Sequence, residues 1–494
     1  SPVSWLAGSR SSGLIVIERE GRLLMSDMDR SSELIPLVAV APSDTRTMSR
    51  GTERLRRGFS DLSVSPDGKR AAFIAGGDVW TASIDGGDAV RLTMTPGPEM
   101  SPVWAPDGKR LAYAAVRDDK ADLYEAVLET RKETRLTDDL DVESEPRYAP
   151  DGRRIAYLVS QRTGSALRII LLDAPPTEPL DSSITVATSP EISGFDWSPD
   201  GRWLVYAASS GLGVSDLFVV PSVGGKSTNI TRSAGRLERP VWSRNGSTIA
   251  AIGSVWSPDG ARRGRAIVVV TTQPGRPTQP GSGRSDEAQG GPPRAQTEDT
   301  PFTQSPRRSS VPRPTGETRT GASEVGAPWP FGPPVRPPER VAVDLLASHT
   351  RVRELAAPPG VVQWLTFVPD GRSLACVVGS SEGDALVGAD SLSPAAIRLA
   401  PVAGASHLAV LQDGSALLFL DGDGIIRILR RGAPTVSEIS ITCTFEADRR
   451  SALLESVAQV RREVSRRTGS RDAEARDWRR VLEETAVASD APED

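Results

Sequence analysis

A reversal of one build recurs along this chain, and its spacing constrains the fold more than any other feature. It reads SVSPDGKRAAF at Ser63–Phe73, VWAPDGKRLAY at Val103–Tyr113, RYAPDGRRIAY at Arg147–Tyr157, DWSPDGRWLVY at Asp196–Tyr206 and TFVPDGRSLAC at Thr366–Cys376. VWSRNGSTIAA (Val241–Ala251) and VLQDGSALLFL (Val410–Leu420) are looser copies. Successive turn glycines Gly68, Gly108, Gly152, Gly201 and Gly246 stand 40, 44, 49 and 45 residues apart, the period of propeller blades.

The turn chemistry explains the motif. Proline sets φ at the first central position, and the carboxylates of Asp67, Asp107, Asp151, Asp200 and Asp370 fold back onto backbone N–H groups. Gly68, Gly108, Gly152, Gly201 and Gly371 then take the left-handed conformation that lets two strands reverse. A third strand follows with an acid, an apolar residue and an aromatic together, as in Asp78-Val79-Trp80, Asp122-Leu123-Tyr124 and Asp216-Leu217-Phe218, and a short outer strand ends in Leu-Thr or Ile-Thr. Four strands make a blade that cannot bury both faces alone, so blades must stack. The expectation is an all-β fold, a β-propeller of four-stranded antiparallel blades, seven being the favoured number between six and eight. Trp104, Tyr148, Trp197 and Trp242 are expected to wedge between blades, and the opening segment Ser12–Met28 to share a blade with Leu417–Leu429 and close the ring.

Composition narrows function mainly by exclusion. A net charge of -5 over 494 residues lacks the basic field that draws a protein onto nucleic acid or an anionic membrane. No apolar run approaches the ~18 residues of a membrane span, so the chain reads as soluble and without membrane insertion. Cys376 and Cys443 lack metal or redox spacing and read as small buried residues, a single bridge between them staying open. The two histidines, His349 and His407, adjoin no GxSxG elbow, HExxH pair or second metal ligand. No catalytic residue, metal site or cofactor is therefore expected. DGDG at Asp421–Gly424 has too few spaced oxygen donors for calcium and reads as a hairpin, and GLGVSD at Gly211–Asp216 reads as a loop between strands.

The stretch GGDVWTASIDGGDAVRLTMTPGPEMSPVWAPDGKRLAYAA, with LYEAVLETRKETRLTDD and ISGFDWSPDGRWLVYAASS after it, resembles the TolB-type propeller repeat and, more closely, the seven-bladed propeller of tricorn-like serine peptidases. Glu339–Gly360 resembles the segment that enters the late blades of that family, and Ile441–Glu484 its exit strand and the first helices of the next domain. Two departures matter. DAEARDW at Asp472–Trp478 lacks the histidine and glycine usual before the Asp-Trp pair, and the family's catalytic histidine, serine and PDZ domain correspond to positions beyond Asp494. The resemblance thus implies a peptidase relative but carries no catalytic residue onto this chain.

The organisation expected is a propeller over 1–440 and a helical hairpin with tail over 441–494. Within the propeller, residues 273–340 hold fifteen prolines and nine glycines, a composition that cannot bury enough apolar surface to order itself. This insert is expected to be disordered, with Trp329 and Phe331 of PWPFGPP as an anchor for a partner's groove. In the tail, Leu453, Leu454, Val457 and Val460 fall at helical spacing, a stripe for the propeller's underside or a partner. The function read from all this is a non-catalytic scaffold derived from a tricorn-like peptidase, binding protein or peptide, alone or within a multi-subunit assembly. The alternatives are the substrate-gating part of a tricorn-like protease whose active site lies in a missing or separate chain, and a TolB-like envelope protein. Because the chain starts at Ser1 and not at methionine, a periplasmic or other extracytoplasmic location is expected, the cytoplasm being the alternative.

Overall fold

The computed structural model describes residues 51–272 and 329–447, except 96, 118–119, 140, 173–182, 212, 233–234, 255–265, 346–347, 356–359, 393–395 and 434, and also the backbone of four strands within 5–36. The expected C-terminal helices, and with them Leu453, Leu454, Val457 and Val460, lie outside the described residues, as does the insert over 273–328.

Among the described residues from 51 onward, seven four-stranded antiparallel blades follow one another, the fourth and fifth joined by a parallel bridge between Ser215 and Arg236. Blade 1 comprises Ser60–Val64, Arg70–Ala75, Asp78–Ser83 and Val90–Arg91. Blades 2 to 7 span 99–135, 142–189, 192–229, 236–355, 361–402 and 406–438. The first strand of each blade is innermost; those of neighbouring blades lie against one another, blades 3 and 4 meeting where Trp197 Nε1 donates to Arg147 O, and the first strand of blade 7 returns to lie against that of blade 1. Second strands such as Arg70–Ala75 are buried on both faces because an adjacent blade covers each side.

Ring closure differs from the expectation. The strands within 5–36 form a sheet of their own, and the last blade takes all four of its strands from Ser406 to Glu438. Instead Ile441–Ala447 pairs antiparallel with Gly51–Leu55 and parallel with Gly87–Asp88, clasping the end of the described chain to the start of blade 1. Phe59, Phe73 and Trp80 meet Leu418, Ile428, Ile441 and Cys443 in the core of that seam. Both cysteines are free and buried, and burial pushes their thiols up to about 12.

The repeated motif holds the blades to one another. In blade 4, Gly201 N–H donates to Ser198 O at 2.9 Å, Gly201 has φ of 67°, and Asp200 Oδ1 accepts the Arg202 N–H at 3.1 Å. The same carboxylate-to-backbone bond is made by Asp67 (3.1 Å), Asp107 (2.8 Å), Asp151 (2.9 Å) and Asp370 (2.9 Å). Two residues after the glycine, an arginine reaches across: Arg70, Arg110 and Arg154 donate to the carbonyls of Gly108 (2.8 Å), Gly152 (3.1 Å) and Gly201 (2.9 Å) in the next blade. Each guanidinium also lies over the wedge aromatic of that next blade, Trp104, Tyr148 or Trp197. All four wedges, Trp242 included, are buried.

The recurrent acid and threonine have distinct jobs. Asp78 and Asp122 pair with Arg91 and Arg135 on the outer strand, both at 2.6 Å, while Asp216 accepts from Asn229 at 2.9 Å. Thr93, Thr137 and Thr231 accept the third-strand N–H groups of Val79 (2.9 Å), Leu123 (2.9 Å) and Leu217 (3.0 Å). Thr93 and Thr137 then donate to Glu99 and Glu143 at the start of the following blade.

Candidate functional site

Every inner strand breaks register near its start. Pairing jumps between Ser60 and Ser63, Met100 and Val103, Ser144 and Arg147, Ile192 and Phe195, Glu238 and Val241, Val362 and Trp364, and Ser406 and Ala409. Such bulges re-aim a side chain out of the ladder. Seven residues before each turn glycine the chain carries Asp61, Ser101, Glu145, Gly194, Arg239, Trp364 and His407. All but Trp364 have positive φ, from 50° at Arg239 to 122° at Gly194. The bulge is thus a built feature of the ring and not a local accident.

Six of these residues, Ser101, Asp61, His407, Trp364, Arg239 and Gly194, touch in that order and form a girdle, while Glu145 acts on it through its charge. Asp61 Oδ2 accepts the Ser101 N–H at 3.2 Å, and Asp61 Oδ1 lies 3.1 Å from His407 Nε2. The His407 and Trp364 rings are 4.8 Å apart, and Arg239 lies over Trp364 at 4.1 Å. Gly194 completes the contact, since a Cβ there would meet Arg239 Cα at 3.3 Å. Burial raises the Asp61 carboxyl, but the His407 and Ser101 hydrogen bonds outweigh it and hold the group below its ordinary value. Arg239 is exposed to solvent, yet the surrounding walls thin its hydration and lower its affinity for a proton, Glu145 opposing and Arg147 reinforcing that shift. Arg239 makes no ion pair among the described residues.

His407 also approaches a hydroxyl, with Nδ1 3.2 Å from Ser406 Oγ. The order is the reverse of a serine-hydrolase triad, in which Nε2 serves the serine and Nδ1 the aspartate. Here Nε2 serves Asp61, and the hydroxyl belongs to the adjacent residue in the chain. This row is a clasp on the closing seam. His349 sits apart, in the single turn Ser348–Arg351.

At the opposite end of the inner strands, a strap crosses the reversals. Residues 329–345 hold a defined course although the composition of 273–340 predicts disorder. Trp329 and Phe331, expected to anchor in a partner, pack into this chain's own core between blades 6 and 7, with Phe331 only 4% exposed. The ring of Phe331 fits because Gly388 has no Cβ, which would lie 3.1 Å from it. From there Gly332 N–H donates to Asp370 Oδ2 at 3.0 Å, Val335 N–H to Pro369 O at 2.8 Å, and Val341 N–H to Asp200 Oδ2 at 2.6 Å.

Comparison with known proteins agrees with this architecture. Residues 78–263 match the TolB beta propeller domain family. Over 64 residues the chain is 38% identical to Tricorn protease homolog 1 of Streptomyces coelicolor, covering 13% of this chain and 6% of that one. The crystal structure of the tricorn protease superposes with a TM-score of 0.54 at 12% identity, covering 92% of this chain and 42% of that one. The chain thus shares its fold with part of the tricorn protease, and residues 78–263 carry TolB-type propeller repeats. A putative TolB from Agrobacterium tumefaciens is 18% identical with a TM-score of 0.36, over 44% of this chain and 84% of that one.

In this propeller the recurring turn residues do structural work, and the varied polar and aromatic side chains of the girdle sit at positions that do not recur. Sequence reasoning missed the girdle. The available signal was a column in the aligned repeats, seven before the glycine, where acid, hydroxyl, glycine, arginine, indole and imidazole replace one another.

Proposed function

We propose that this tricorn-like propeller is a binding protein that engages an extended polypeptide at its girdle and performs no chemistry of its own. One observation carries the reading: Arg239 is presented on the face of Trp364, open to solvent and without an acidic partner among the described residues. A guanidinium held this way keeps its donors for a ligand's carboxylate or carbonyl groups, while the indole offers an apolar face. Glu145 and the Asp61–His407 pair flank it with acceptors, so the ring suits the mixed donors and acceptors of a peptide chain. A photo-crosslinking amino acid placed at Gln363, next to Trp364, tests this in native extract, with Leu171 on the exposed outer surface as the control position. A discrete polypeptide captured at Gln363 but not at Leu171, and lost with Arg239→Gln, supports the reading; equal capture at both positions removes it.

A second reading rests on the structural likeness covering 92% of this chain but 42% of the tricorn protease. In it the chain is the substrate-admitting part of a larger peptidase, and the captured polypeptide is a serine-peptidase chain. A periplasmic location belongs to the same proposal, tested by fractionation with an antibody to the chain. No helix among the described residues is long and apolar enough to cross a membrane.

A further inference from the structure

The strap shows how a main chain binds the reversal face. In two blades the second oxygen of the turn aspartate accepts a strap N–H, Asp200 from Val341 and Asp370 from Gly332. In two others an arginine of the same blade occupies that oxygen: Arg110 on Asp107 at 2.9 Å and Arg154 on Asp151 at 2.6 Å. Blade 5 has Asn245 in place of the acid. Blades 1 and 7 remain. Asp67 and Asp413 use Oδ1 for their own turns, and among the described residues the Oδ2 of each has no protein partner.

Both residues line one open cleft of about 470 Å³ where the turns of blades 1, 5 and 7 face the strap. Arg244 and Arg336 line it as well, and neither makes an ion pair among the described residues. Arg244 and Gln412 stand where the other five reversals have proline, and the Arg244 guanidinium donates to the Gln412 side chain, reaching past blade 6. That leaves its Nε buried and without a partner, and burial lowers the group from its ordinary value. Pro66, Val335 and Leu411 give the cleft an apolar wall. A volume of this size lies in the range of ligand sites.

We propose that this cleft receives the carboxylate-bearing end of an extended peptide, whose N–H groups meet Asp67 Oδ2 and Asp413 Oδ2 as the strap's meet Asp200 and Asp370, and whose carboxylate meets Arg244 and Arg336. The two acids and two guanidiniums balance in charge, so a free anion gains little net attraction there. A main chain supplies both the donors and the acceptor that the four groups require.

The test is fluorescence anisotropy with three fluorescein-labelled probes: Gly-Ala-Pro-Val with a free carboxylate, the same peptide amidated, and amidated Gly-Ala-Pro-Glu, with acetate as competitor. The free acid is expected to bind about tenfold more tightly than its amide, the scale of one charge-assisted contact. Arg244→Gln removes that difference, and Asp67→Asn with Asp413→Asn weakens both Gly-Ala-Pro-Val probes alike. If the Glu probe matches the free acid, the carboxylate chemistry stands and a side chain can supply it. Equal binding of acid and amide, binding of neither up to millimolar concentration, or displacement by acetate alone with no preference among peptides overturns the proposal. Arg336→Gln, on the exposed strap, repeats the measurement should Arg244→Gln fail to fold.

Discussion

Asp61 Oδ1 and His407 Nε2 lie 3.1 Å apart, one on the first inner strand and the other on the last. The contact therefore belongs both to the girdle and to the seam that closes the ring. Around it, Gly58 and Phe59 N–H groups donate to Asp423 and Gly424 carbonyls, each at 2.9 Å. Closure therefore rests on a side-chain pair, two backbone bonds and the Gly51–Leu55 clasp. A ligand that bridges Arg239 and Asp61 would tie blade 5 to blade 1 across that seam.

Asp61→Asn is expected to lower stability by about 1 kcal/mol at neutral pH, the worth of one hydrogen-bonded charge. The Asp61 carboxyl is held below its ordinary value, so the folded state favours the ionised form. Its contribution is complete above the unfolded value of about 4 and vanishes as pH falls through the lower folded value. Urea unfolding across a descending pH series should show the full gap between parent and variant at pH 7 and its closing only below about pH 4.

Glu99 and Glu143 give the opposite slope. Both are buried, and desolvation raises them to about 7 and about 8 against the hydrogen bonds that favour ionisation. Arg117, 3.8 Å from Glu99, is committed to Glu133. The folded state thus binds protons that the unfolded state releases above about 4.5, and stability falls as pH rises from there to about 8. Replacing both by glutamine should flatten that decline by on the order of 1–3 kcal/mol between pH 5 and 8, measured as denaturant midpoints across the range.

The parts of this fold that were legible in the sequence are those that repeat within one blade. Pro-Asp-Gly, the Asp78 and Asp122 acids and the wedge aromatics each act locally or on the next blade, so periodicity exposed them. The clasp was not legible because Gly51–Leu55 and Ile441–Ala447 pair across nearly the whole described chain, and short strands carry no signal of their partner. The strap was hidden for another reason. It docks through backbone N–H groups and a few isolated side chains, Trp329, Phe331 and Val341, so proline-rich composition gave no pattern of burial to read. The girdle residues differ in every repeat, and only the shared bulge brings them together.

Ser406, His407 and Asp61 form a row without triad order. The purified chain is expected to take up no fluorophosphonate label, and Ser406→Ala to melt within a degree or two of the parent. Stoichiometric labelling that disappears with Ser406→Ala would contradict the clasp assignment.

Phe331→Ala should free the strap. Removing a ring that is 4% exposed costs about 3–5 kcal/mol when the site cannot collapse. Here the loss falls on the segment's docking, because the blade 6 and 7 strands keep their own ladders. Limited proteolysis should cut the variant between Trp329 and Asp344 at protease levels that leave the parent strap intact. A global fall in melting temperature without new cuts there would place Phe331 in the propeller core proper.

The strap also separates two aspartates that the sequence makes equivalent. Asp67 accepts from Ser65 Oγ at 2.5 Å and Lys69 N at 3.1 Å, both within its own turn. Asp200 accepts from Ser198 Oγ at 2.6 Å and Arg202 N at 3.1 Å, and from Val341 N at 2.6 Å besides. Its loss leaves a strap N–H without its acceptor beside Val341, which is buried against Gly246. Asp67→Ala is expected to cost about 1 kcal/mol and Asp200→Ala about 1–2 kcal/mol more. Phe331→Ala should erase most of that difference, because a released strap no longer presents the Val341 N–H, and a double-mutant cycle by urea unfolding measures the coupling directly. Equal costs for the two aspartates in the parent would mean that the Val341 bond adds nothing to holding the strap down.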